Sequence, residues 1–187
     1  VTIDWRAEAL GQLDFYWENW RPRLDGLTDE EYFWEPVQGC WSVRPVEDGF
    51  AFDWVGAGES EPDPAPFTTI AWRLCHIAGH IFGMRARNHF GDGAYRIDDH
   101  DYPGTSDGAL AYLDESHAAW RGAIGELDEA GWARPVGPAE GPYADMPYMT
   151  LVLHLNRELF HHGGEVALLR DLYRASGGGR RFVTGQG

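Results

Sequence analysis

Lysine is absent from this 187-residue sequence: all 15 basic side chains are arginine, set against 30 acidic ones. A formal net charge of -15 offers little to a phosphate backbone, so a nucleic-acid partner is not expected, and an anionic membrane surface is disfavoured in the same way. Long hydrophobic runs are missing too. None reaches the length of a membrane-spanning helix, and the first residues lack the basic-then-apolar pattern of a secretory signal. The expected compartment is the cytoplasm. Cysteine is scarce: Cys40 and Cys75 form no recognisable pair motif and are expected to be free thiols in a reducing compartment. No internal repeat and no second domain is visible. The missing lysine, with abundant Ala, Gly and Asp, is the composition expected of a GC-rich genome.

What the chain does have is apolar mass. Hydrophobic residues make up 43% and aromatics 14%, enough for one packed core at this length. Four helical patterns stand out. The first runs over 4–25, where Leu10, Leu13, Trp17, Trp20 and Leu24 share a face and Pro22 should bend or break the last turn. Thr28 then reads as a cap with Glu31 as capping-box partner, opening a short helix. A loop-rich stretch follows over 34–66, in which 40–44 and 50–55 could pair as a short hairpin. Its length suits either a lid or a surface excursion. The second helix is expected over 68–90 and the third over 106–127, with Leu110, Leu113, His117, Trp120, Ile124 and Leu127 on one face. The fourth is expected over 147–174, with Pro147 in its first turn. The expected fold class is all-α: a four-helix bundle with a long loop or short hairpin inserted between the first two helices. It would form a single domain over 1–175, with a flexible tail over 176–187.

The fourth helix carries the chemistry. On a wheel at about 100° per residue, Leu151, Leu155, Leu159, Val166, Leu168, Leu169, Leu172 and Tyr173 share a broad apolar arc. Asn156, Arg157, Gly163, Gly164, Arg170, Asp171 and Arg174 fall on the opposite, wet side. His154, Glu158, His162 and Glu165 also lie on the apolar arc, three and four residues apart. Such groups are costly to bury unless compensated. A divalent metal would compensate them directly, since it takes carboxylate and neutral imidazole; a hydrogen-bonded core network is the other solution. A further ligand would come from the second helix. There His76 lies beside Gly79 and Gly83, which leave room for close approach, whereas His80 shares an arc with Thr69, Arg73 and Arg87. His76 is therefore the favoured inward residue, and His76, Glu158 and His162 form the candidate metal set. His117 faces inward but reads as a core histidine, and His89 and His100 have no case. Cys75 points away from His76. Arg73 and Arg157 could meet a substrate carboxylate, although surface arginines are the commoner reading.

The run His154, Arg157-Glu158-Leu159-Phe160-His161-His162-Gly163-Gly164-Glu165 resembles the closing helix of the DinB-like superfamily, which includes the mycothiol-dependent maleylpyruvate isomerase N-terminal domain. Trp72-Arg73-Leu74-Cys75-His76-Ile77 resembles the second-helix segment that supplies the remaining histidine. The stretches Phe33–Pro36 and Gly39–Pro45 are similar to actinobacterial members. The likeness spans the first helix to about Arg174. It implies a metal-binding helical fold, and Glu158-x-x-x-His162 matches the maleylpyruvate isomerase type of ligand pair. It also implies a small-molecule substrate and a low-molecular-weight thiol such as mycothiol as co-substrate, in a transferase or isomerase reaction. Two His and one Glu would leave open coordination positions, as a catalytic site requires. Zinc is the first expectation and nickel the next. His154, His161 and Glu165 are candidates to orient ligands or move protons. The rival expectations are a non-catalytic metal-binding module, a metal-assisted hydrolase, or a bundle whose His and Glu residues form a core network. A homodimer is compatible with such a bundle, though no residue requires it.

Overall fold

The computed structural model describes residues 2–55, 59–60, 62–98 and 100–179. Helix α1 (Trp5–Trp20) starts where the Asp4 carboxylate accepts from the backbone N–H groups of Arg6 and Ala7. At Pro22 the chain tightens into a 3-10 turn, Arg21–Leu24, which is the interruption that proline predicts. Thr28 caps α2 (Asp29–Tyr32) by accepting from the Glu31 N–H. The expected return bond from Glu31 is replaced. Its carboxylate instead takes Arg170 Nε at 2.8 Å and Nη2 at 3.1 Å, with both side chains almost fully buried.

Strands β1 (Val43–Val46) and β2 (Gly49–Phe52) pair antiparallel, with Val43 opposite Phe52 and Val46 opposite Gly49. The predicted hairpin exists, but its first strand starts later. Trp41 is committed elsewhere: its N–H donates to Phe67 O (2.8 Å) and its carbonyl accepts from Thr69 N–H (2.9 Å), tying the loop to the start of the next helix. Gly49, at φ +109, allows the tight return.

The second expected helix is continuous in space but changes register. It comprises α3 (Ile70–Cys75), capped by Thr69, a π-helical segment (His76–Gly83) and α4 (Met84–Phe90). Helix α5 (Ser106–Gly125) buries Leu113, His117, Trp120 and Ile124 as its spacing predicts. Helix α6 (Glu129–Ala133) and a 3-10 segment, Pro138–Tyr143, lie in a stretch that carried no helical expectation. Helix α7 (Tyr148–Ala175) is the longest, and Pro147 precedes it as N-cap rather than entering its first turn. The expected tail over 176–187 lies outside the described residues from 180 onward. No helix among the described residues is long and apolar enough to cross a membrane.

Helix α7 packs against α1, α3, the π segment and α6, while α5 covers the π segment, α3 and α4. This corrects the wheel drawn for α7. Asn156, Gly163 and Arg170, assigned to the wet side, are buried, whereas Leu168, assigned to the core, is exposed. The reason is a second neighbour. The α1 side meets α7 through its polar groups: Asn156 Nδ2 donates to Ala9 O (2.9 Å), and Trp20 Nε1 donates to Gly163 O (2.8 Å). A Cβ at Gly163 would stand 2.5 Å from the Tyr16 hydroxyl and 3.1 Å from Trp20 Nε1, so this approach needs glycine. Arg170 also donates to the carbonyls of Arg23 and Asp25, bolting the end of α1 and α2 onto α7.

Removing one partner of the Glu31–Arg170 pair strands a buried charge. Arg170→Ala and Glu31→Ala should each cost about 3–5 kcal/mol, read from urea unfolding. The apolar double replacement Glu31→Leu/Arg170→Met should cost much less than either.

Candidate metal centre

Two helices bring the candidate ligands together. On α7, Glu158 and His162 stand four residues apart and so share a face. His76 opens the π segment of the facing helix. A potential ligand atom from each of His76, Glu158 and His162 lies within 4.8 Å of the other two. His162 Nε2 is 3.4 Å from Glu158 Oε2, and the rings of His76 and His162 meet edge to face with centroids 4.8 Å apart. These are the three residues the sequence singled out, and their donor set of two imidazoles and a carboxylate is one that a zinc-like ion accepts. Modest inward movement of each side chain would bring them into one coordination sphere.

Each of the three is held from behind. The His162 Nδ1 side faces Glu165 Oε2 at 2.7 Å, and since a carboxylate only accepts, Nδ1 is the donor of that contact. Arg73 backs this contact, with Nε 3.0 Å from the same Glu165 oxygen and Nη1 3.1 Å from His162 Nδ1. Glu158 turns Oε1 to the Arg157 guanidinium (3.1 Å), leaving Oε2 toward His162. Arg157 also donates to His154 Nδ1 at 2.6 Å. His76 lies under the stacked ring of Trp72 (5.0 Å, 12°), and its Nδ1 is 3.3 Å from His80 Nδ1.

A second triple, His161, His162 and Glu165, is also close enough to hold an ion. Its position is already served by a cation. The Arg73 guanidinium sits against both Glu165 and His162, and another positive charge there would be repelled. In the His76 triple the Arg157 guanidinium holds Glu158 Oε1, while Oε2 faces His162 Nε2 at 3.4 Å.

Burial, followed by the neighbouring His80, His162 and arginines, holds the His76 imidazolium well below its usual range, so the ring is neutral near pH 7. His80 is likewise pushed down, to about 4, mainly by burial. For Glu165 burial works to raise the pKa, but the hydrogen bond from His162 and the charge of Arg73 prevail and the carboxyl is lowered. The Cys75 thiol is pushed up to about 12 by burial and touches Tyr32 Oη at 3.4 Å, which agrees with its exclusion as a ligand.

Three sequence expectations need correction. His80 is buried, not on a polar side, because the i→i+5 register of the π segment turns the chain less per residue than the 100° wheel assumes. Arg73 is likewise drawn inward, to Glu165. His89, given no role, has a side chain only 4% exposed and pairs with Glu140 at 2.9 Å. His154 and Glu165 do touch candidate ligands, whereas His161 is exposed and reaches only Glu165, at 3.4 Å. His117 stays a core residue, stacked on Trp17 at 3.6 Å. The glycines that favoured His76 over His80 face other neighbours: Gly79 is overhung by the hydroxyls of Tyr95 and Tyr112, and Gly83 by the Ala78 carbonyl and Ser116.

Two cavities flank the cluster. One, of about 470 Å³, is lined by Arg85, Glu140, Tyr143, Leu151, His154 and Arg157. The other, of about 580 Å³, has Arg73, Glu165 and Thr68 in a wall otherwise built from apolar residues such as Val37, Phe67 and Leu169. The 34–66 loop therefore lies beside the cluster: its ends line the second cavity, and Phe52 of β2 packs on Trp72 and His80. In the first cavity, burial opposes the Glu140 charge, but His89 and Arg85 outweigh it and hold the carboxyl at about 2, below its usual 4.5. A lowered folded-state pKa contributes stability that is present above 4.5 and lost as the pH falls toward 2. The urea midpoint of the wild type should fall across that window, and Glu140→Gln should flatten this limb while lowering the midpoint at neutral pH.

Residues 12–166 match the DinB superfamily. No curated protein and no solved structure matches the chain. The match takes in the second half of α1, the hairpin, the helix bearing His76, α5, and α7 through Glu158 and His162. The chain belongs to the DinB superfamily.

Proposed function

We propose that this protein binds a divalent metal ion through His76, Glu158 and His162 and uses it in a thiol-dependent transferase or isomerase reaction on a small molecule. The observation that carries the reading is the convergence of these three donors, from two helices, within 4.8 Å of one another. Zinc suits two imidazoles and a carboxylate best, with nickel next. The architecture is read as a four-helix bundle of α1, the 70–90 helix, α5 and α7 with the hairpin inserted, forming one domain over 1–175.

When bound, such an ion would supply the positive charge that keeps a low-molecular-weight thiol of the mycothiol kind ionised at neutral pH. The protein's own residues do the rest. Glu158 contributes the negative charge of the donor set, and Arg157 holds its outer oxygen. Glu165 orients His162. Trp72 and Phe52 cover the His76 side and keep water from it. The cavity of about 470 Å³ beside Glu158 has the size for a small substrate. Leu151 and Val136 give it an apolar wall, and the exposed Arg157 can meet a carboxylate at its edge. His154, accepting from Arg157 at Nδ1, presents Nε2–H as a donor to a substrate oxygen.

Elemental analysis of untagged protein should find near-stoichiometric metal, lost in both Glu158→Ala and His162→Ala. Protein that takes up neither zinc nor nickel would overturn the metal reading, and its histidines would then be a core network. For the reaction, the visible spectrum of nickel- or cobalt-loaded protein should shift on adding a thiol. An unchanged spectrum, with turnover of esters by water alone, would reassign the site to hydrolysis.

A further inference from the structure

His80 and Tyr102 were not part of the site that the sequence pointed to, yet they adjoin it through the core. His76 Nδ1 lies 3.3 Å from His80 Nδ1, His80 Nε2 lies 2.8 Å from the Tyr102 hydroxyl, and that hydroxyl lies 3.4 Å from the carbonyl oxygen of Ile97. His80 and Tyr102 are both buried. The hairpin encloses this line of groups. Phe52 sets its ring edge-on to His80 at 4.5 Å and stacks on Tyr102 at 5.2 Å, and Phe50 O accepts from the Tyr102 N–H at 3.1 Å.

We propose that His80 and Tyr102 form a one-way hydrogen-bond relay that fixes His76 as its Nδ1–H tautomer and so leaves the Nε2 lone pair for a metal. The direction follows from the end of the line. A backbone carbonyl only accepts, so a Tyr102 hydroxyl that gives its one hydrogen to Ile97 O, or to the Tyr95 hydroxyl it also faces, accepts from His80. A neutral imidazole has one donor and one acceptor nitrogen, so His80, donating at Nε2, accepts at Nδ1. His76 is then the donor at Nδ1, and its remaining nitrogen is bare. The reverse direction would spend the Tyr102 proton on His80, leave the Ile97 carbonyl without it, and put a hydrogen on His76 Nε2. A metal-binding histidine that donates its other N–H to a fixed acceptor is oriented and made a better ligand. Here the acceptor is another histidine rather than a carboxylate. His80 and Tyr102 are thus positioning residues, matching on His76 what Glu165 does for His162. The use of the relay rests on the metal reading of His76, but its existence does not.

The test begins with metal-free protein. Nitrogen-15 spectra of the histidine rings should show His76 protonated at Nδ1 in the wild type, and a shift toward the Nε2–H form in Tyr102→Phe. In the same pair, competition with a chromogenic chelator should give about tenfold weaker zinc binding in Tyr102→Phe, with the melting temperature of the zinc-free proteins reporting any general loss of fold. A wild-type His76 protonated at Nε2 overturns the relay, and so does a folded Tyr102→Phe protein with unchanged tautomer and unchanged zinc affinity. Should Tyr102→Phe fail to fold, the wild-type spectrum alone still decides the direction. A His76 Nδ1–H signal in protein that takes up no zinc would uphold the relay and sink the metal reading instead, so the two failures are told apart.

Discussion

Helix α7 carries polar groups around much of its circumference while packing against several neighbours, and a buried polar group is costly without a partner. Much of the arrangement of the molecule meets that demand, although Asn156 Oδ1 and the Tyr148 hydroxyl have no hydrogen-bond partner among the described residues. Asn156 is answered by the carbonyl of Ala9, the Gly163 carbonyl by Trp20, and Arg170 by Glu31 and the turn after α1. His162 is answered by Glu165, which Arg73 holds in turn. An unpaired group in any of these places would cost a sizeable part of a typical domain's net stability. These contacts therefore fix how α1, α2 and α3 sit on α7 more sharply than apolar packing, which is indifferent to direction, could do.

The same demand shapes the face that holds His76, Glu158 and His162. One donor atom of each lies within 4.8 Å of the other two, and other atoms of the same side chains are engaged elsewhere: Nδ1 of His162 with Glu165, Oε1 of Glu158 with Arg157, Nδ1 of His76 with His80. The hairpin from the long loop belongs to this arrangement. By laying Phe52 over Trp72 and His80, it shuts the outer side of the His76 helix and leaves the cavities at the two flanks of the cluster.

Much of this was legible in the sequence where the information is local. Thr28 stands where a helix begins, Pro22 where one breaks, and the spacing of Leu113, His117, Trp120 and Ile124 gives the buried face of α5. Glu158 and His162 share a face by spacing alone. The wheel failed in two places, for different reasons. On α7 it assumed a single buried face, while α1 buries a second one with polar contacts. On the second helix it assumed a constant turn, while the π segment changes the turn from His76 onward.

By itself, the sequence determined the helical character, the hairpin between α2 and α3, the acidic surface, and the three side chains that meet between α7 and its neighbour. Those properties rest on composition and on short, regular spacings, which are fixed by covalent geometry. Only the tertiary structure decided that His80 and Tyr102 stand behind His76, that Arg73 turns inward to Glu165, and that Glu31 leaves its helix cap for Arg170. Each of these joins groups far apart in the chain or depends on a local change of helical register. A hydrogen bond of that kind depends on where two elements come to rest against each other, which no spacing along one of them records.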